Sequence, residues 1–139
     1  MKKVIILVVL SVLLLSCNQT ITQKDIVNLN GYWEIEKVIK QDGDKKEYKI
    51  NEAIDYIEIK NNKGFRKKVY PQFDGKYLVN DLKEEISISD SSGIFFINYK
   101  TDYAKWKEQI IAIKDSSFTV KNEAKLEYKY KKQIPFSLK

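Results

Sequence analysis

The chain has 139 residues, with 25 Lys and Arg against 19 Asp and Glu, no histidine, one cysteine (Cys17) and one methionine (Met1). A chain of this length normally forms one compact domain. The inventory excludes an internal disulfide framework, a Cys/His zinc site, a Ser-His-Asp or Cys-His triad and a histidine-ligated haem.

Met1, Lys2 and Lys3 make a positive n-region, Val4 to Leu15 are apolar except Ser11, and Ser16 is a small residue ahead of Cys17. That order is an export signal over residues 1–16, and its 12-residue apolar run falls short of the about 20 residues that cross a bilayer as a helix. Without Lys2 and Lys3 the remainder carries 23 cationic and 19 acidic side chains, a net charge of only +4. Leu14-Leu15-Ser16-Cys17 resembles the lipobox of bacterial lipoproteins. The resemblance implies cleavage before Cys17, lipidation of its thiol with palmitate-like chains, and a stable membrane anchor, since each buried methylene contributes about 0.8 kcal/mol. The following Asn18-Gln19-Thr20-Ile21-Thr22 has no Asp next to Cys17 and no acidic cluster. It therefore lacks what resembles the inner-membrane retention and surface-export signals, which implies an outer-membrane anchor facing the periplasm. Residues 17–28 read as a lipidated polar tether, and 29–139 as the folded domain.

From Asn28 onward, two-residue alternation is broken every eight to twelve residues by turn chemistry, the pattern of an antiparallel all-β meander. Trp33 and Ile35 alternate with Glu34 and Glu36 before Gln41-Asp42-Gly43-Asp44. Ile57 and Ile59 alternate with Glu58 and Lys60 before Asn61-Asn62-Lys63-Gly64. Phe65 to Tyr70 ends at Pro71, Asp74-Gly75 turns the chain into Lys76 to Val79, and Ile86 and Ile88 lead to Asp90-Ser91-Ser92-Gly93. Ile94 to Tyr99, Gln109 to Lys114, Ser117 to Lys121 and Lys125 to Lys131 follow. The expectation is about eight strands, with Glu47 to Ile50 a further one if paired, closing into a barrel that leaves no exposed edge. A short helix is expected over 101–107, with Thr101 or Asp102 as N-cap. Ile94 to Ile97 and Ile110 to Ile113 are apolar on both faces, so Tyr103 to Trp106 is expected to cover their outer side.

Leu29-Asn30-Gly31-Tyr32-Trp33 at the first strand resembles the Gly-x-Trp signature of lipocalins and lipocalin-like bacterial proteins. Gly64 to Lys68 and Tyr103 to Glu108 resemble segments of lipocalin-like lipoproteins of Flavobacteria and other Bacteroidota. The resemblance implies a single up-and-down β-barrel in which Trp33 closes the floor and Gly31 lets the chain enter the strand tightly. In lipocalins a late basic residue stacks on that tryptophan, and here the late candidates are Lys131 and Lys132.

Alternation places Trp33, Ile35, Ile57, Ile59, Ile86, Ile88, Phe118, Val120, Leu126, Tyr128 and Tyr130 inward. Of these, Ile57, Ile59, Ile86, Ile88, Phe118, Val120, Tyr128 and Tyr130 are the candidate ligand lining, apolar with tyrosine hydroxyls as its polar points. The basic run Arg66-Lys67-Lys68, with Lys60 and Lys63, reads either as a patch for lipid phosphates and acidic partners or as a solvated strand face. A charge of +4 interspersed with acids is no nucleic-acid footprint. Glu84 with Glu85, and Asp55 with Glu58, offer paired carboxylates, but neighbours on a strand face opposite ways and no nucleophile has a base at a recognisable spacing. The sequence calls for no cofactor or metal and for no enzyme. Its leading reading is a lipid-anchored barrel for a small apolar or amphipathic molecule. The alternative is an envelope assembly or enzyme-inhibitor lipoprotein with a filled barrel and a protein partner.

Overall fold

The computed structural model describes residues 20–48, 51 and 53–133; the export signal and the Cys17 motif lie outside the described residues. A 3₁₀ helix, Gln23–Leu29, leads into nine strands: β1 (Gly31–Ile39), β2 (Lys45–Glu47), β3 (Ile54–Lys60), β4 (Lys63–Pro71), β5 (Tyr77–Ser91), β6 (Ile94–Lys100), β7 (Lys105–Ile113), β8 (Ser117–Lys121) and β9 (Glu127–Lys132). Eight of them form a closed antiparallel barrel, because β1 pairs with β3 on one side and with β9 on the other. The extra strand, β2, pairs only with the far end of β1.

Tight turns fix the register. Asn61 and Asn62 (φ 53° and 63°), like Ser92 and Gly93 (φ 53° and 88°), adopt the left-handed conformation that two-residue hairpins need to match strand twist. Lys60 therefore pairs with Lys63, and Ser91 with Ile94. The expected Lys76–Val79 and Ile86–Ile88 strands are two parts of one long β5, whose first half pairs with the end of β4 in an arm reaching past the barrel. On that arm Phe73, Leu78 and Leu82 are exposed.

Four expectations are corrected. The segment 101–107 is a turn and not a helix: Thr101 Oγ1 accepts the N–H groups of Tyr103 and Ala104, and β7 has begun by Lys105. Tyr103 is 97% exposed and covers nothing, while Trp106 points inward onto Tyr99. Outside, Ile94 stays exposed and Phe96 carries the Lys107 ammonium over its ring. On β7 a bulge between Ile110 and Ala112 turns both Ile110 and Ile113 into the core. Leu126, expected inward on the last strand, sits in the β8–β9 turn, where its N–H donates to Asn122 Oδ1. The described part of the expected 17–28 tether is folded, since Ile21 and Ile26 join Leu29 of the domain in the core cluster.

Those three residues plug one end of the barrel. Leu29 and Trp33 are fully buried, and the Trp33 indole N–H donates to the Leu29 carbonyl at 2.8 Å, a net contribution of about 1 kcal/mol beyond the area buried. Phe118 meets the indole edge-on and stacks on Tyr130, which continues the aromatic packing up the wall. Gly31 has φ +129°, and a Cβ there would stand 3.3 Å from Lys132 Cε. The glycine thus lets the chain turn into β1 while the Lys132 ammonium lies 5.4 Å above the Trp33 ring. Of the two late basic candidates it is Lys132 that meets the tryptophan; Lys131 pairs with Glu34 on the outer face.

Candidate ligand site at the barrel mouth

The expected inward residues do face the interior: Ile57, Ile59, Ile86, Ile88, Phe118, Val120 and Tyr130 are buried, and Tyr128 packs against them. Around the plug they fill the barrel with side chains. Toward the other end, each inward row finishes on a charged residue. Asp55 continues Ile57 and Ile59 on β3, Glu84 continues Ile86 and Ile88 on β5, and Glu108 precedes Ile110 on β7. Arg66 and Lys68 on β4 stand opposite Ile57 and Asp55 and share their face.

The basic run is therefore divided. Lys67 lies outside, beside the Phe65 ring, whereas Arg66 and Lys68 make ion pairs with inward acids. Arg66 is held in a fork: Nε and Nη2 donate to the two Glu84 oxygens at 2.7 and 2.9 Å. Its guanidinium lies 4.3 Å from the Tyr99 ring, with Nη1 donating to the Tyr99 hydroxyl at 3.3 Å. Trp106 stacks on the far side of Tyr99 at 5.3 Å, so guanidinium, phenol and indole form three layers. Burial pushes the Tyr99 hydroxyl well above its ordinary pKa, partly offset by Arg66.

Two carboxylates are less well served. Asp55 is 4% exposed, and Lys68 Nζ, on a half-exposed side chain, lies 2.8 Å from its Oδ1 without hydrogen-bond geometry. Glu108 is 7% exposed and its Oε1 has no hydrogen-bond partner among the described residues. Burial raises the Glu108 pKa; the Tyr99 hydroxyl and Arg66 oppose the rise, and Glu84 and Asp55 add to it.

Above Asp55 a half-open cleft of about 240 Å³ is lined by Trp33, Ile35, Val38, Tyr48, Ala53, Ile54, Lys68, Tyr128 and Tyr130. A bulge between Ile35 and Lys37 turns Val38 to the same side as Ile35, opposite Tyr128. Asn51 ties the rim down by donating to the Ile35 carbonyl. Drug-sized pockets run from roughly 300 to 1,000 Å³, so this cleft suits a smaller guest. A wider groove of about 570 Å³ is lined by Lys63, Glu85, Ser87, Asn98, Tyr99, Lys100, Lys105, Trp106, Lys107 and Glu123. Four lysines stand on its rim, whereas the cleft above Asp55 holds a buried carboxylate whose Oδ1 has no hydrogen-bond partner among the described residues. Among the described residues no three His, Cys, Asp or Glu side chains gather to hold a metal.

Sequence reading missed Asp55, Arg66, Lys68, Glu84 and Glu108 as interior groups. The available signal was parity, because Asp55, Glu84 and Glu108 each lie two residues from a buried isoleucine on the same strand.

Residues 29–120 match the sequence profile of the lipocalin-like domain. The crystal structure of a lipocalin-like protein from Bacteroides uniformis is similar at 12% identity and a TM-score of 0.47, over 76% of this chain and 99% of that one. No curated protein matches.

Proposed function

We propose, for a chain that belongs to the lipocalin-like domain family, that the barrel is a small-molecule-binding protein of the cell envelope. It would be anchored by an acylated Cys17, most simply on the periplasmic face of the outer membrane, and would take an amphipathic guest at its mouth without catalysis. Lipocalin-like barrels are generally binding proteins, and one observation carries the reading here. The mouth cleft is apolar and aromatic on one side, through Trp33, Ile35, Val38, Tyr128 and Tyr130, and charged on the other, through Asp55 and Lys68. Buried side chains occupy the barrel below, and the cleft's volume of about 240 Å³ favours a small guest. A long acyl chain does not suit it.

Native mass spectrometry of protein purified from its own host tests the binding, with co-purifying small molecules the expected result. A bare protein and no thermal shift with any amphipathic metabolite would count against it. Metabolic labelling with a fatty-acid analogue tests the anchor; the wild type takes the label and Cys17→Ser does not. A second reading, as a partner-binding envelope protein, is favoured by the β4–β5 arm, where Phe73 is 94% exposed beside exposed Leu78 and Leu82. A photoreactive group at position 73, crosslinked in cells, yields a discrete adduct under that reading and none under the first.

A further inference from the structure

The acids at the mouth are unequally served. Arg66 pairs with Glu84 and Lys68 with Asp55, while Lys132, a third cation on the inward side, lies over the Trp33 ring. Arg66 is fully engaged by Glu84 and Tyr99. Asp55 depends on Lys68, whose side chain is 55% exposed and free to swing outward, while Glu108 Oε1 has no hydrogen-bond partner among the described residues. Glu108 makes no ion pair among the described residues. The space above Asp55 is lined by the aromatic residues Tyr128 and Tyr130, with the buried Trp33 behind them. Aromatic faces attract cations, and a neighbouring carboxylate supplies the counter-charge.

Resting on the small-molecule reading above, we infer that the guest is a small organic ammonium with an apolar or aromatic body, whose cationic head replaces the Lys68 ammonium on Asp55. Lys68 then acts as a tethered occupant of the site, released to solvent when the guest arrives. The apolar body lies against Ile35, Val38 and Tyr128, and the Glu108 carboxyl, whose Oε1 has no hydrogen-bond partner among the described residues, adds a longer-range attraction for the cation. An anionic guest would place a further negative charge beside the buried carboxyl groups of Asp55 and Glu108, which disfavours it.

The test is calorimetric titration and thermal shift of the purified protein with phenethylamine, 3-phenylpropionate and myristate. Phenethylamine is expected to bind and raise the melting temperature, and 3-phenylpropionate, similar in size and opposite in charge, is expected not to. Asp55→Asn should weaken phenethylamine by about tenfold or more, the worth of a charge-assisted hydrogen bond. Glu108→Gln should weaken it less, since it acts at longer range. Lys68→Met, which removes the tethered competitor, should tighten it about fivefold, an effect that a purely structural lysine would not produce. Circular dichroism verifies that each variant is folded; should Asp55→Asn unfold, Lys68→Met carries the decision. The inference is overturned if 3-phenylpropionate binds as well as the amine, if Lys68→Met weakens the amine, or if none of the three probes binds. Binding of myristate alone overturns the ligand class but leaves the small-molecule reading standing. That broader reading fails separately, on native mass spectrometry finding nothing bound.

Discussion

Replacing Glu84 with alanine removes both acceptors of the Arg66 fork, at 2.7 and 2.9 Å, and leaves the guanidinium in the barrel wall with Tyr99 as its remaining partner. The Arg66 side chain is 15% exposed and that of Glu84 is 24% exposed, so water reaches the pair only in part. Breaking a buried ion pair by deleting one partner costs about 3–5 kcal/mol, and the partial access here places the loss near about 3 kcal/mol. For a domain of this size that is a fall of roughly 10 °C in melting temperature. Urea unfolding followed by circular dichroism measures it, with an unchanged m-value showing that the native and denatured states keep their compactness. The companion is the double variant Arg66→Met, Glu84→Leu, which removes the stranded charge and should be more stable than Glu84→Ala alone. A single-variant loss below about 1 kcal/mol, typical of exposed pairs, would refute the reasoning. So would a double variant whose loss equals the sum of the two single losses.

Trp33→Ala should cost about 3–5 kcal/mol as a large-to-small change at a fully buried site; a loss below about 1 kcal/mol in the same assay would place the indole outside the floor's packing. Gly64→Ala should destabilise by more than about 2 kcal/mol, because a Cβ there would stand 1.7 Å from the Glu58 carbonyl oxygen and the two strands would have to part; an alanine variant of unchanged melting temperature contradicts this. Glu108→Gln tests pH linkage. Burial raises the native pKa of Glu108, so the folded state keeps its proton after the unfolded chain, titrating near about 4.3, has lost it. Stability from this group is present below that value and lost as pH rises through the raised native pKa. The Gln variant should therefore gain on the wild type between pH 4 and pH 8, and an equal offset at both would remove the linkage.

The walls of this barrel were legible because Ile57 and Ile59, or Ile86 and Ile88, alternate cleanly with polar neighbours, and because Asn61-Asn62 and Ser92-Gly93 mark hairpins. The floor was legible in Gly31 and Trp33. The mouth was hidden by the same rule that exposed the walls. Alternation was followed only while the inward residue was apolar, so Asp55, Glu84 and Glu108 read as the end of the inner face when they were its continuation. Arg66 misled for a second reason: Phe65 and Val69 are the apolar members of β4, yet Phe65 faces out and Gly64, with no side chain to signal, holds the inward place opposite Ile59. The bulges near Glu36, Lys68 and Ile111 shift parity within a strand, which no fixed period can anticipate. The 101–107 helix failed because Thr101 caps a turn as readily as a helix, and the strand claimed Trp106 for its stack on Tyr99.

The buried Ile21 has a consequence for orientation. It belongs to the plug at the end of the barrel opposite the mouth, and only four residue steps separate it from Cys17. Such a span reaches at most about 14 Å, where a tether running to Asn28 would reach about 40 Å. An acyl anchor on Cys17 would thus hold the plugged end down against the lipid on a short leash, with the open end turned toward the aqueous space. A molecule dissolved in the bilayer would meet a sealed base, and only one already free in water would find the entrance. Under such an anchor, the seven-residue helix would decide the phase from which a guest could be collected.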